Sequence, residues 1–140
     1  MLKCIVSALV AISIFSVNTV LAENVFLETE AVTAAEAWLN LVDEGEYAKS
    51  WEQAAGYFKA IMKKEAWENS IQPLRDSLGK VISRKLNSHE FVTAMPGAPD
   101  GEYVVIQFET SFENKTAAIE TITPMVDTDG VWRVSGYYIK

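Results

Sequence analysis

Two charged side chains sit where the surrounding alternation calls for apolar ones. Glu120 shares its parity with Ala118, Ile122 and Val126, and Arg84 shares its parity with Ile82 and Leu86. If those parities face the interior, a carboxylate and a guanidinium point into the protein. Burying either alone is costly, so they must pair with each other, meet other polar groups or line a wet pocket. A desolvated carboxylate with a hydrogen-bond donor in reach is the minimum for cofactor-free acid–base chemistry. Glu120 would accept the proton while Arg84 or Tyr138 stabilises developing negative charge. The opposite register stays open, because Ile119 and Met125 lie on the other parity and would turn Glu120 outward.

The remaining chemistry-bearing residues are sparse. His89 is the single histidine, so a metal site would need carboxylates for its other ligands, and no paired Asp/Glu/His spacing of that kind appears. No nucleophile elbow or glycine pattern accompanies any serine, which leaves a Ser-His-Asp triad without support. Asn87-Ser88-His89-Glu90 reads as a polar stretch of an exposed strand. Asn114-Lys115-Thr116 matches a glycosylation acceptor but falls where a hairpin turn is needed. No cofactor is called for. The four tryptophans and five tyrosines can line an apolar cavity with polar tips inside, although Trp38 and Trp67 lie on helical stripes that must pack on a sheet in any case. A pocket built from Trp38, Trp67, Arg84, Glu120, Trp132 and Tyr138 is the candidate site.

The elements that must position these residues divide the chain in two. From about Thr29, Val32, Ala35, Trp38, Leu39 and Val42 recur at helical spacing until Gly45. Thr33-Ala34-Ala35-Glu36 matches a capping box, but capping there would discard the turn that holds Val32. A second helix is expected over Glu46–Tyr57, ending near Gly56. A third spans Lys63–Leu78, with Trp67, Ile71, Leu74 and Leu78 as its apolar stripe and Pro73 predicting a kink or break near Gln72.

From Lys80 the period changes to two. Strands are expected over Lys80–Thr93, Asp100–Glu113, Thr116–Val126 and Val131–Ile139, with Asp127-Thr128-Asp129-Gly130 turning between the last two. In the second of these, Val104, Ile106, Phe108 and Phe112 form the dry face, while Tyr103, Val105, Gln107 and Glu109 look outward. Gly136 predicts a bulge or bend. The fold class is therefore α+β: three N-terminal helices packed on a curved four-stranded antiparallel sheet.

Residues 1–22 stand apart from this domain. A short positive start at Lys3, an apolar run from Cys4 to Val17 and small or β-branched residues before Ala22 make a cleaved signal peptide. The apolar run is shorter than the ~20 residues a membrane span needs. Residues 23–140 then form one soluble domain of 118 residues without cysteine, whose apolar core must carry its stability without disulfides. Its 11 Lys and Arg face 19 Asp and Glu, a net charge of −8. That surface repels phosphate backbones and anionic lipid, so nucleic acid and membrane are poor partners.

Several stretches are familiar together. Glu36-Ala37-Trp38-Leu39, Gly45-Glu46-Tyr47 with Ser50-Trp51, Leu78-Gly79-Lys80-Val81 with Ser83-Arg84, Pro96-Gly97-Ala98-Pro99-Asp100-Gly101-Glu102-Tyr103, and Asp129-Gly130-Val131-Trp132-Arg133-Val134-Ser135-Gly136-Tyr137-Tyr138 occur in this order. The chain thereby resembles a family of exported bacterial proteins catalogued as domain of unknown function 4019. The resemblance implies bacterial export to the periplasm or medium and a fold similar to the nuclear transport factor 2 cone, a cystatin-like shape. It supplies no catalytic residue.

Three functions fit. One is a non-enzymatic binding module for a small apolar ligand or a peptide, the second the acid–base enzyme built on Glu120. The third is an interaction subunit that forms a homodimer through the outer sheet face, where Tyr103 and Val105 interrupt a polar parity.

Overall fold

The computed structural model describes residues 15–140, so the first fourteen residues of the expected signal peptide, Cys4 among them, lie outside the described residues. Four helices precede four strands: α1 (Phe15–Asp43), α2 (Tyr47–Glu52), α3 (Gly56–Ile61), α4 (Lys64–Leu78), β1 (Val81–Val92), β2 (Tyr103–Phe112), β3 (Lys115–Val126) and β4 (Trp132–Ile139). The strands form one open antiparallel sheet in the order β1-β2-β3-β4. α1 packs across all four.

The helical half differs from the sequence expectation in three ways. α1 is already helical at Phe15, the first described residue, and the residues expected as a lead-in are helical. Thr29 and Thr33 do not cap; their hydroxyls donate to the carbonyls of Val25 (2.8 Å) and Thr29 (3.0 Å), four residues back. The expected helix over Glu46–Tyr57 is two helices, making four in all. Its middle unwinds because the sheet takes its backbone: the Ala55 N–H donates to the Val134 carbonyl (2.8 Å) and the Gly56 N–H to the Asp127 carboxylate (3.0 Å). Finally, α4 runs through Pro73 without a break. Pro73 and Asn69, whose carbonyl loses its helical partner, are both exposed, so that carbonyl is open to solvent.

The stripe on α4 also shifts by one residue. Trp67, Ile71, Arg75 and Leu78 are buried, whereas Leu74 is 41% exposed. An arginine therefore enters the helix–sheet interface in place of a leucine. Gly45 ends α1 as expected, with φ 77° and the Glu46 N–H reaching back to the Leu41 carbonyl (2.9 Å).

In the sheet half, Val104, Ile106, Phe108, Thr110 and Phe112 of β2 are all buried beneath the helices. Tyr103 is buried too, against expectation. The loop before β2 folds over it, and its hydroxyl donates to the Pro99 carbonyl at 2.5 Å. β1 keeps a single parity only in pieces, since its pairing with β2 slips between Val81 and Ser83 and again between Leu86 and Ser88. The first slip throws Ile82 outward, 66% exposed, and leaves Val81 on the core side; the second puts Phe91 rather than Val92 against the core. Leu86 is also more exposed than its parity implied.

Candidate functional site

Glu120 points inward. β3 buries Ala118, Glu120 and Ile122 on one face, and the register sets Glu120 opposite Phe108 on one side and Ile139 on the other. Its side chain is fully buried. Oε1 accepts from Arg84 Nε (2.7 Å) and the Thr110 hydroxyl (2.5 Å), and Oε2 accepts from Arg84 Nη2 (3.3 Å) and the Tyr137 hydroxyl. A carboxylate has about four lone-pair directions, and here each oxygen already takes two donors. The cleft at this end of the sheet is lined by its partner Thr110 and by Ala118 and Ile119, and not by Glu120 itself. A general base needs a free lone pair facing a substrate, and this carboxylate has neither.

The tyrosine at this site is Tyr137, where the sequence reading named Tyr138. Trp132 and Val134 face the core on even positions, and the β3–β4 pairing slips between Thr123 and Pro124, leaving Ser135 as the extra residue. The bulge expected from Gly136 is thus present, and it reverses the parity after it. Tyr137 is turned to Glu120 and Trp38, while Tyr138 stands on the outer face, 53% exposed. Burial, the neighbouring Glu120 charge and the hydrogen bond to it raise the Tyr137 pKa well above the usual phenol value, so the hydroxyl remains a donor.

Two further residues complete the cluster, and neither was read from the sequence. Asp43, the last residue of α1, accepts from Arg75 Nη2 (2.6 Å), Arg84 Nη1 (2.7 Å) and Arg84 Nη2 (3.0 Å). Arg75 is buried with its guanidinium 5.1 Å from the Phe112 ring, while its Nε and Nη1 have no hydrogen-bond partner. Two guanidiniums and two carboxylates so tie the end of α1, the last turn of α4, β1 and β3 together. Arg84 bridges the carboxylates. Burial works against its charge, but the hydrogen bonds to Asp43 and Glu120 outweigh this and raise its pKa.

This clasp has an acid signature. Burial pushes the Asp43 pKa up, but the hydrogen bonds and charges of Arg84 and Arg75 outweigh it and hold the group below 3.8. A carboxylate whose folded pKa lies below its unfolded one contributes stability that is complete above the unfolded value and is lost as pH falls through the folded value. Urea midpoints of the wild type are therefore expected to fall more steeply below about pH 4 than those of Asp43→Asn. Parallel pH profiles for the two proteins would show that Asp43 does not hold the clasp.

The tryptophans are anchored rather than available. Trp38 Nε1 donates to the Ser50 carbonyl (2.8 Å) and Trp67 Nε1 to the Ser50 hydroxyl (3.0 Å), which in turn donates to the Tyr47 carbonyl (2.6 Å). Their ring centroids are 5.7 Å apart, with Phe58 and Tyr137 edge-on. His89, turned toward α1 by the second slip in β1, lies 2.7 Å from the Glu28 carboxylate. Among the described residues no three His, Cys, Asp or Glu are grouped to hold a metal ion.

A family model described as protein of unknown function, DUF4019, matches residues 34–137. The chain belongs to the DUF4019 family. No curated protein and no solved structure matches it. The matched segment of this DUF4019 chain contains Asp43, Arg75, Arg84, Glu120 and Tyr137, and also a cleft that the clasp does not touch. That cleft, about 450 Å³, lies between α1, the end of α2 and the start of β4; Ala34, Ala37, Trp38, Trp132 and Val134 line it together with the polar Gln53 and the charged Glu52 and Arg133. The structure therefore splits the six expected pocket residues. Trp38 and Trp132 meet at the cleft, Trp67 supports Trp38 from the core, Arg84 and Glu120 belong to the clasp, and Tyr138 lies on the opposite face of the sheet.

Proposed function

We propose that this DUF4019 protein is an exported, non-enzymatic binding module whose site is the cleft between α1 and β4. The observation that carries this reading is that Glu120 is saturated, while Trp38 and Trp132 line an open cleft. The inward carboxylate that could have served as a base is saturated by four donors, whereas the cleft sets Trp38, Trp132, Ala34 and Ala37 beside the partly exposed Glu52 and Arg133. Such a lining suits a ligand with an apolar part against the tryptophans and polar atoms toward Glu52, Gln53 and Arg133. The bulged sheet wrapping α1 supports a shape similar to the nuclear transport factor 2 cone. Signal-peptide removal after Ala22 would deliver the domain to the periplasm or medium, and an intact mass beginning at Glu23 tests that step.

Binding is tested by a thermal-shift and native mass spectrometry screen of small apolar compounds against the purified protein. A compound present at 100 times its Kd is expected to stabilise the fold by about 2.7 kcal/mol. Ala37 is exposed on α1 at the cleft mouth, so Ala37→Trp is expected to fold normally and to lose that shift. Retention of the full shift by Ala37→Trp would move the site elsewhere.

A further inference from the structure

The cleft is bordered by a strand edge with its own hydrogen-bonding pattern. β4 is an edge strand, and its phase is set at two points. The Asp127 N–H bonds the Val131 carbonyl (2.9 Å), so Val131 turns toward β3. The Ala55 N–H takes the Val134 carbonyl (2.8 Å), so Val134 turns away from β3. Successive residues of an antiparallel strand alternate in this respect, and Trp132 must turn both its N–H and its C=O outward with the N–H of Val134. Among the described residues, Ala55 is the one loop or helix residue whose backbone bonds this edge, and it takes the Val134 carbonyl alone. The outward groups of Trp132 therefore stand beside a cleft whose lining includes Trp132 itself, Trp38, Ala34 and Ala37.

We infer that the cleft takes an extended peptide segment, which pairs its backbone with the outward N–H and C=O of Trp132 and places an apolar side chain between α1 and β4. This rests on the binding reading above and names its ligand class. Backbone groups in need of a partner, beside an apolar notch, are what strand addition uses: main-chain bonds supply affinity and the notch supplies side-chain choice. Small apolar molecules would leave the Trp132 groups unpaired.

Charge decides the flanks of that peptide. Glu30 is exposed one turn before Ala34 on the same face of α1, and Glu52 lines the cleft. The single cation in the lining, Arg133, is already held by Asp129 (2.7 and 2.8 Å) and Asp127 (3.3 Å). With residues 23–140 at −8, basic residues beside the apolar one are favoured and acidic ones repelled.

The test uses the purified, isotope-labelled protein and an octapeptide of alternating valine and serine with lysine at each end. Titration is expected to shift the amide signals of Trp132 and Val134 and to protect them from hydrogen exchange. Two further peptides carry N-methyl groups on alternate amides, one for each phase. Blocking the phase that faces β4 is expected to weaken binding at least about tenfold, and blocking the other phase to leave it within about twofold. Glutamate in place of the terminal lysines is expected to weaken it at low salt. Ala37→Trp is expected to abolish it with an unchanged melting temperature.

Equal binding of the two N-methylated peptides, or binding that leaves the Trp132 and Val134 amides unshifted, overturns the strand-addition inference. If apolar compounds still bind in an Ala37→Trp-sensitive way, that failure leaves the cleft reading standing. If neither compounds nor peptides bind, both readings fall.

Discussion

Glu120→Ala is expected to destabilise the protein by about 3–5 kcal/mol, measured as a shift in the urea denaturation midpoint at neutral pH. The cost is dominated by what is left behind. Arg84, only 15% exposed, would keep Asp43 but lose its buried partner, and the hydroxyls of Thr110 and Tyr137 would lose their acceptor. Glu120→Gln should fall between, because an amide offers one acceptor oxygen and sets an NH2 group against other donors. The informative control is the double variant Arg84→Met with Glu120→Leu. Removing both charges and filling their volume is expected to recover most of the loss, as buried ion pairs generally tolerate apolar replacement better than the loss of one member. A loss below about 1 kcal/mol for Glu120→Ala would contradict a structural clasp, since that is the size of an exposed pair.

Trp67→Ala is expected to cost a similar amount, about 3–5 kcal/mol, for a different reason. Trp67 is 5% exposed and contacts Trp38, Phe58 and Tyr137, so truncation opens a cavity at the junction of three helices and the sheet. Near-ultraviolet circular dichroism should lose amplitude with it, because the tilted and edge-on rings lose their fixed geometry. Trp67→Phe should cost less, refilling part of the volume while leaving the Ser50 hydroxyl without its donor. Ser50→Ala isolates the polar part: the Trp67 indole N–H stays buried with no acceptor, at about 1–3 kcal/mol. If Trp67→Ala and Ser50→Ala cost the same, the hydrogen bond and not the packing would be the larger element.

These two clusters also show how far local pattern reaches. The four strands appear within about three residues of their expected bounds, and the inward row of β2 is as its period-2 pattern requires. Arg84 and Glu120 were legible as candidates because each broke an apolar parity, but the pattern left their pairing and the direction of Glu120 open. Asp43 and Arg75 were not, since a charged residue at a helix end or beside an exposed leucine reads as solvated surface. Ser50, wholly buried, gave no signal beyond its type. The choice of Tyr137 over Tyr138 turned on one extra residue in β4, although Gly136 had already marked the place.

Local chemistry, then, determined what alternates and what turns: the α+β order, the antiparallel strands, the glycine stop at Gly45 and the two charges that break an apolar parity, though Gly56, expected to end a helix, begins α3. Those properties depend on residues within a few positions of one another. The tertiary structure alone decided which inward charges meet, where bulges reverse a parity, why the expected second helix unwinds at Ala55, and that a cleft opens between Trp38 and Trp132. Each of these depends on contacts between residues far apart in the chain, such as Asp43 with Arg84 and Ala55 with Val134, whose free energies enter only when the sheet and helices are assembled.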